Sequence, residues 1–189
     1  MTHIFDPKDM QKLESPERAK IINPVEVLNG MKLKAGDTVL DFGVGTGFFA
    51  VKALDIIGEH GHLYGVDISS EMVEFAKVKT AGYSNVSFIK TDSLKIPIED
   101  SSIDFAFMGF VLHEIDDRPF IINEMKRLLK PGGTIGIVEW DSKNFEKGPP
   151  EHERIEMDTA AKLLESSGFC LTATCNYSQY HYYLTGEKK

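Results

Sequence analysis

Apolar and polar residues follow two different periods along this chain, and the switching between them organises most of it. From Thr38 onward, short runs of nearly continuous apolar character alternate with stretches whose apolar positions recur every three or four residues. The first kind reads as buried strand, the second as amphipathic helix. Strands are therefore expected over 38–43, 62–67, 86–91, 103–109 and 134–140, with helices over 47–58, 70–81 and 117–130 between them. The run Ile103-Asp104-Phe105-Ala106-Phe107-Met108-Gly109 is almost wholly apolar, as a central strand covered on both faces should be. Asp117 ahead of Pro119 marks a helix start, and Leu129-Lys130-Pro131-Gly132-Gly133 a stop.

Strands alternating with helices of this length imply an α/β fold, a parallel sheet with helices on both faces. Ahead of it, residues 1–36 carry no strand signal. Ser15-Pro16 and Asn23-Pro24 each pair a capping residue with a first-turn proline, which predicts short helices over 16–21 and 24–33. Beyond the core, 141–150 reads as a polar linker ending in Gly148-Pro149-Pro150, and a helix over 151–167 is stopped by Gly168. Two strand-like runs, 169–175 and 180–186, are close enough to form an antiparallel hairpin. One domain over 1–189 is expected: a helical N-terminal part (1–36), a core (37–140), then linker, helix and hairpin (141–189).

Composition narrows the partners. A chain of 189 residues with 42% hydrophobic and 26% charged residues has the make-up of a globular domain with a full core. Its net charge of −8, with no lysine-rich run, disfavours a nucleic-acid partner, whose phosphates call for a basic footprint. No basic-then-apolar leader opens the sequence, and no apolar run reaches the ~18 residues of a membrane span. Cys170 and Cys175 are separated by an odd number of positions, so a straight strand puts them on opposite faces. Neither fits a disulfide framework, so a cytoplasmic protein with reduced thiols is expected; oligomeric state is left open.

The candidate chemistry lies in Val39-Leu40-Asp41-Phe42-Gly43-Val44-Gly45-Thr46-Gly47. A strand runs into an acid and then three glycines at alternating positions, just before a helix. Glycines allow a tight turn and close approach of backbone to a ligand, and helix N-termini offer unpaired N–H groups. A dinucleotide fingerprint needs glycine at position 48, where this chain has Phe48. Asp67 ends the second strand, placed to accept from ribose hydroxyls, and Asp92-Ser93 end the third.

Together with the segment Gly109-Phe110-Val111-Leu112-His113 and the turn Leu129-Lys130-Pro131-Gly132-Gly133, these residues resemble the class I S-adenosylmethionine-dependent methyltransferases. The resemblance covers about 24–140 and is nearest to the small type 11 branch, related to ubiquinone and menaquinone methylating enzymes. It implies a seven-stranded, mostly parallel, doubly wound Rossmann-like sheet whose last strand is antiparallel. It also implies S-adenosylmethionine as cofactor. Asp41, Gly43, Val44, Gly45, Thr46 and Gly47 would hold its methionine half, Asp67, Ile68 and Met72 its ribose region, and Asp92 and Ser93 its adenine. Phe110 and Val111 would pass beneath it, with Gly109 also among the cofactor-binding residues and His113 near the methyl group.

A small-molecule acceptor is then expected, since the Asp/Asn-Pro-Pro-Tyr/Phe element of nucleic-acid and amine-directed members is replaced by Met108-Gly109-Phe110-Val111. His113 is the candidate catalytic base, with a near-neutral ordinary pKa, and the alternative is a packing role. Glu139 and Trp140 fall at a strand's carboxyl end, where they would line an acceptor pocket or simply be exposed. The N-terminal helices and 141–150 are the candidate lid. No metal site is expected, because His113-Glu114 and His152-Glu153 lack the spacing that puts two ligands on one helix face. The competing readings are a non-catalytic S-adenosylmethionine-binding protein of the same fold and, disfavoured by Phe48 and Asp92, an NAD-type oxidoreductase.

Overall fold

A computed structural model describes residues 18, 21–142 and 148–189. Most of the helix expected over 16–21, and the middle of the 141–150 linker, lie outside these residues.

Seven strands form one sheet: β1 (Thr38–Phe42), β2 (His62–Asp67), β3 (Val86–Lys90), β4 (Ile103–Gly109), β5 (Leu129–Trp140), β6 (Phe169–Asn176) and β7 (His181–Lys188). Their order is β3-β2-β1-β4-β5-β7-β6. The pairs β1–β2, β2–β3, β1–β4 and β4–β5 are parallel, while β7 runs antiparallel to both β5 and β6. Phe42 lies opposite Val66 on one side and Met108 on the other, so β1, β2 and β4 end level. The chain reverses direction across the sheet at β1, and the loops leaving the tips of β1 and β4 diverge there. Such a switch point leaves a crevice at the carboxyl ends of the strands.

The helices are α1 (Pro24–Gly30), α2 (Ala50–Ile57), α3 (Ser70–Lys79), α4 (Arg118–Leu128) and α5 (Met157–Ser166). Their starts are chemically marked. Asn23 accepts from Val25 N–H at 3.1 Å, Ser69 from Met72 N–H at 3.3 Å and Asp117 from Phe120 N–H at 3.0 Å, each supplying a partner to an otherwise orphaned amide.

Strand alternation splits the core into two layers. Leu40, Ala106 and Met108 face one layer with Ile121, Met125 and Leu128 of α4 and Leu164 of α5. Val39, Phe105 and Phe107 face the other with Leu28 of α1, Leu54 of α2 and Ala76 of α3. Leu40, Ala106, Met108, Ile121 and Leu54 are 0–1% exposed.

Three expectations change. The helix after the glycines begins at Ala50 rather than 47, so the loop ahead of it, with Gly43, Gly45 and Thr46, lines the crevice. β5 begins at Leu129, since Leu129 still pairs with Ile103 before the Lys130–Gly133 segment bulges outward and pairing resumes at Thr134–Phe105. The helix expected over 151–167 divides into a 3₁₀ turn (Glu151–Glu153) and α5. The lid is corrected in part as well: α1 belongs to the core. Val27 and Leu28 are fully buried, Met31 is 1% exposed, and Tyr177 Oη donates to Glu26 at 2.9 Å across the chain ends.

Leu40 occupies the centre of the central strand with no exposure. Leu40→Ala is expected to lower unfolding free energy by about 2–5 kcal/mol through lost burial and the cavity left behind, measured by denaturant titration.

Candidate active site

The turn leaving β1 is drawn back onto β2 by its own amides. Gly43 and Val44 N–H groups both donate to the Val66 carbonyl, at 2.8 and 3.0 Å. Gly43 has φ +74°, and a Cβ there would lie 2.7 Å from Cγ2 of Val111, so only glycine lets the tip of β1 pass the segment after β4. At Gly45 a Cβ would meet only its own loop, at 3.9 Å, leaving that face open to the crevice.

Asp67 clasps this loop to the next helix. Its Oδ2 accepts from Gly45 N–H at 2.8 Å and its Oδ1 from Ser69 N–H at 2.9 Å. Each oxygen keeps a second lone pair for a ligand hydroxyl. On the opposite wall, Phe110 holds φ +58° while its N–H donates to the Val138 carbonyl at 2.9 Å. A non-glycine residue in that region costs on the order of 1–3 kcal/mol and persists only where surroundings enforce it.

Two cavities share Asp67, Ile68, Val111 and Glu114, and together they form one crevice over the tips of β3, β2, β1 and β4. Of the residues singled out in the sequence, Asp41, Gly43, Val44, Gly45, Thr46, Met72, Gly109 and Phe110 line the first cavity. Asp92 and Ser93 line the second. Gly47 does not reach the crevice: its φ is +80°, and a Cβ would press 3.4 Å from Cα of Ala76, so it serves helix packing.

His113 also stands apart from the crevice wall, and the structure corrects the placement expected for it. Its side chain is 8% exposed and its Nδ1 lies 2.8 Å from Oε2 of Glu139, which is fully buried; Glu139 Oε1 also accepts from His113 N–H at 3.1 Å. Burial alone would lower this imidazole's pKa, but the charge of Glu139 and its hydrogen bond outweigh that and raise it. Glu139 thus lies behind the wall rather than in an acceptor pocket. Trp140 packs on Phe110 and His181, with ring centroids 5.8 and 4.4 Å away.

The residue the sequence reading passed over is Glu114, which lines both cavities. Burial pushes its carboxyl up to about 7, with His113 opposing the shift and Glu139, Asp67 and Glu153 adding to it. Its signal was weak: one more polar residue after an apolar run, turned inward only because Leu112–Glu114 forms a 3₁₀ turn. Arg18 is a further wall residue that motif spacing did not single out, while Val111, expected beneath the cofactor, lines both cavities. Among the described residues, no cluster of three or more His, Cys, Asp or Glu side chains is arranged to hold a metal ion.

Residues 33–184 match the family described as a methyltransferase domain. A structure described as a SAM-dependent methyltransferase from Aquifex aeolicus superposes with a TM-score of 0.93 and 34% identity, covering 98% of this chain and 100% of that one. The chain belongs to the S-adenosylmethionine-dependent methyltransferases. Demethylmenaquinone methyltransferase of Staphylococcus haemolyticus is 35% identical over 113 residues, 60% of this chain and 47% of that protein. The chain thus spans about half the length of the curated relatives it matches. Phosphoethanolamine N-methyltransferase 2 of Haemonchus contortus, in complex with S-adenosyl-L-methionine, shares the fold alone, with a TM-score of 0.72 at 17% identity over 87% of this chain and 52% of that one.

The crevice of this methyltransferase fits S-adenosylmethionine on its own evidence. Thr46 is 1% exposed, and its Oγ1 is buried without a hydrogen-bond partner among the described residues, a costly arrangement unless a ligand completes it. Asp41 is 3% exposed; desolvation, reinforced by nearby Asp67, pushes its carboxyl up to about 7. An ammonium group is the natural complement to such a carboxyl.

That raised pKa has a sign. Between roughly pH 4 and 7 the folded chain keeps a proton on Asp41 that the unfolded chain has lost, so stability falls as pH rises through this window. Glu114 adds a component of the same sign. Asp41→Asn should remove the Asp41 component, leaving the ligand-free protein about 1–3 kcal/mol more stable than wild type at pH 8 and little changed at pH 4. Denaturant titrations at the two pH values measure this, and a variant equally destabilised at both would contradict it.

Proposed function

We propose that the chain transfers a methyl group from S-adenosylmethionine to a small organic acceptor. The supporting observation is the single crevice in which Asp41, the open face of Gly45, Asp67 and Asp92 follow one another across the strand tips. In this reading Asp41 and the glycine loop hold the methionine half, Asp67 accepts from the ribose hydroxyls, and Asp92 with Ser93 meets the adenine edge. Ile68 and Met72 provide apolar contact, and Gly109 and Phe110 form the facing wall. The cofactor, when bound, supplies an electrophilic sulfonium methyl. The protein's share is orientation and exclusion of water, which contributes several kcal/mol to such a displacement.

The acceptor enters in this reading beside Phe48 and Phe110, an aromatic flank suited to a planar, largely apolar molecule. The activity of the staphylococcal relatives, on demethylmenaquinone, supports an acceptor of that class. Net charge −8 supports a small molecule over a nucleic acid. Free cysteines agree with a cytoplasmic setting, and among the described residues no helix is long and apolar enough to cross a membrane.

Where the acceptor must lose a proton, Glu114 takes the role expected of His113. It faces the crevice and titrates near neutral pH, the range in which general bases work best. His113, held by Glu139, acts as a positioning residue that braces the Phe110-Val111 wall.

Two experiments test this. Asp67→Ala should weaken S-adenosylhomocysteine binding by about 2–3 kcal/mol, roughly 30- to 150-fold by calorimetry, while wild type ignores NAD; unchanged affinity would refute the ribose assignment. With a reduced, ring-unmethylated naphthoquinone and labelled S-adenosylmethionine, wild type should yield labelled product. Glu114→Gln should slow that turnover by roughly 100-fold or more with S-adenosylhomocysteine affinity held within a few-fold. Equal turnover in the variant would remove Glu114 from proton transfer.

A further inference from the structure

Behind the crevice wall, three carboxylates bear on one imidazole. His113 Nδ1 lies 2.8 Å from Glu139 Oε2, and its Nε2 lies 3.9 Å from Glu114 Oε1. Glu153, in the 3₁₀ turn Glu151–Glu153, adds a charge felt by both His113 and Glu114. Its Oε2 is buried with no hydrogen-bond partner among the described residues, so no donor there tempers that charge.

We infer that His113 is a positioning residue for charge: its imidazolium, anchored by Glu139, holds the carboxylate of Glu114 ionised inside the crevice wall. This rests on the proposed role of Glu114 and names the group that makes the role workable at neutral pH, in addition to bracing Phe110 and Val111. An ionised Glu114 can take the acceptor's proton: the bond from that proton to the acceptor breaks, an O–H bond forms on Glu114, and the electron pair stays with the acceptor.

Glu139 fixes how the ring is used. Each of its oxygens accepts a backbone N–H, from His113 at 3.1 Å and from Trp140 at 3.2 Å, and both face Nδ1. Nδ1 therefore donates to Glu139 in either charge state of the ring. The second proton of an imidazolium then sits on Nε2, the nitrogen turned to Glu114.

The surroundings of Glu114 make His113 its counterweight. Burial first, then the charges of Glu139, Asp67 and Glu153, drive its carboxyl toward the protonated form, and His113 opposes them. Asp92, Asp116 and Asp117 share the second cavity with it, and Asp41 and Arg18 the first. Arg118, close by, donates through Nε to the Leu112 carbonyl at 3.2 Å and through Nη2 to that of His113 at 3.3 Å, so it serves the backbone of the turn. Tyr182, which feels the charge of Glu139, donates to the Ile155 carbonyl at 2.9 Å, and burial raises its hydroxyl further above neutrality, so it stays uncharged. A cation 3.9 Å from Glu114 thus offsets part of what burial and like charge impose.

Carbon-detected NMR of the full, ligand-free chain carrying carboxyl-labelled glutamate reads this titration directly, with the Glu114 signal assigned by its loss in Glu114→Gln. The wild-type midpoint is expected at about 7. His113→Asn keeps an N–H donor for Glu139 but no charge, and should move the midpoint up by about one pH unit or more. Glu153→Gln removes a carboxylate and should move it down. Opposite shifts from two neutral substitutions identify charge, because lost packing would not sort them by sign. An unmoved midpoint in His113→Asn, or shifts of one sign in both variants, would overturn the inference. If His113→Asn failed to fold, Glu153→Gln alone would decide, and a midpoint that stayed or rose would overturn it. With the reduced, ring-unmethylated naphthoquinone, the acidic limb of kcat/KM should follow the midpoint in each variant. A limb that stayed fixed while the midpoint moved would remove Glu114 as the base and leave the charge assignment standing, so the two failures are distinct.

Discussion

The tips of β1 and β2 are arranged around two carboxylates, Asp41 and Asp67, that are largely withdrawn from water. Asp41 lies one residue before the end of the central strand, opposite Gly65 on one neighbour and Phe107 on the other, so its side chain has little access to bulk solvent. Desolvation then favours the protonated form. A second acid, Asp67, spends its oxygens on the amides of Gly45 and Ser69 and so fixes the loop that carries the ligand-facing backbone. The two acids differ in kind: Asp41 is buried with its carboxyl pushed up to about 7, while Asp67 shapes the loop. The close approach of Gly43 to Val111 sets the separation of the two walls.

The opposite wall is held by a buried pair. Glu139, at the end of β5, reaches the backbone and ring of His113 and the backbone of Trp140, the last at 3.2 Å. Breaking such a pair leaves a buried charge without compensation, so its value lies in fixing the chain between β4 and α4. Phe110 is thereby kept in a left-handed conformation that it would not choose alone. The loop after β3 has a comparable anchor: Glu124 accepts from Ile96 N–H at 2.7 Å while Arg127 donates to the Ile96 carbonyl at 3.0 Å. That clamp steadies the segment bearing Asp92 and Ser93, whose own side chains stand largely in solvent.

Strand and helix periods made the sheet, its two helical layers and the antiparallel hairpin legible in the sequence, because burial on one or both faces leaves a direct apolar signature. That Gly43, Gly45 and the acids at 41, 67 and 92 share one crevice was legible because each falls at or just past the carboxyl end of a parallel strand. What escaped had a different physical basis. The start of α2 was misplaced because the loop Gly43–Phe49 carries apolar residues at helical spacing without being helix. His113 lies off the crevice wall and Glu114 on it because a single 3₁₀ turn, invisible to periodicity, rotates one toward β5 and the other toward the crevice. Arg18 had no motif to mark it, and only the folded arrangement brings it to the crevice wall.

The ligand-free crevice holds protons on buried carboxyls, and in the proposed pose the cofactor's cationic end would displace them. Calorimetric titration with S-adenosylhomocysteine at pH 7, repeated in two buffers of different ionisation enthalpy, counts those protons directly. Release of roughly half a proton or more per site, abolished in Asp41→Asn, is the result this account predicts. Tight binding with no net proton release from the wild-type protein would contradict it.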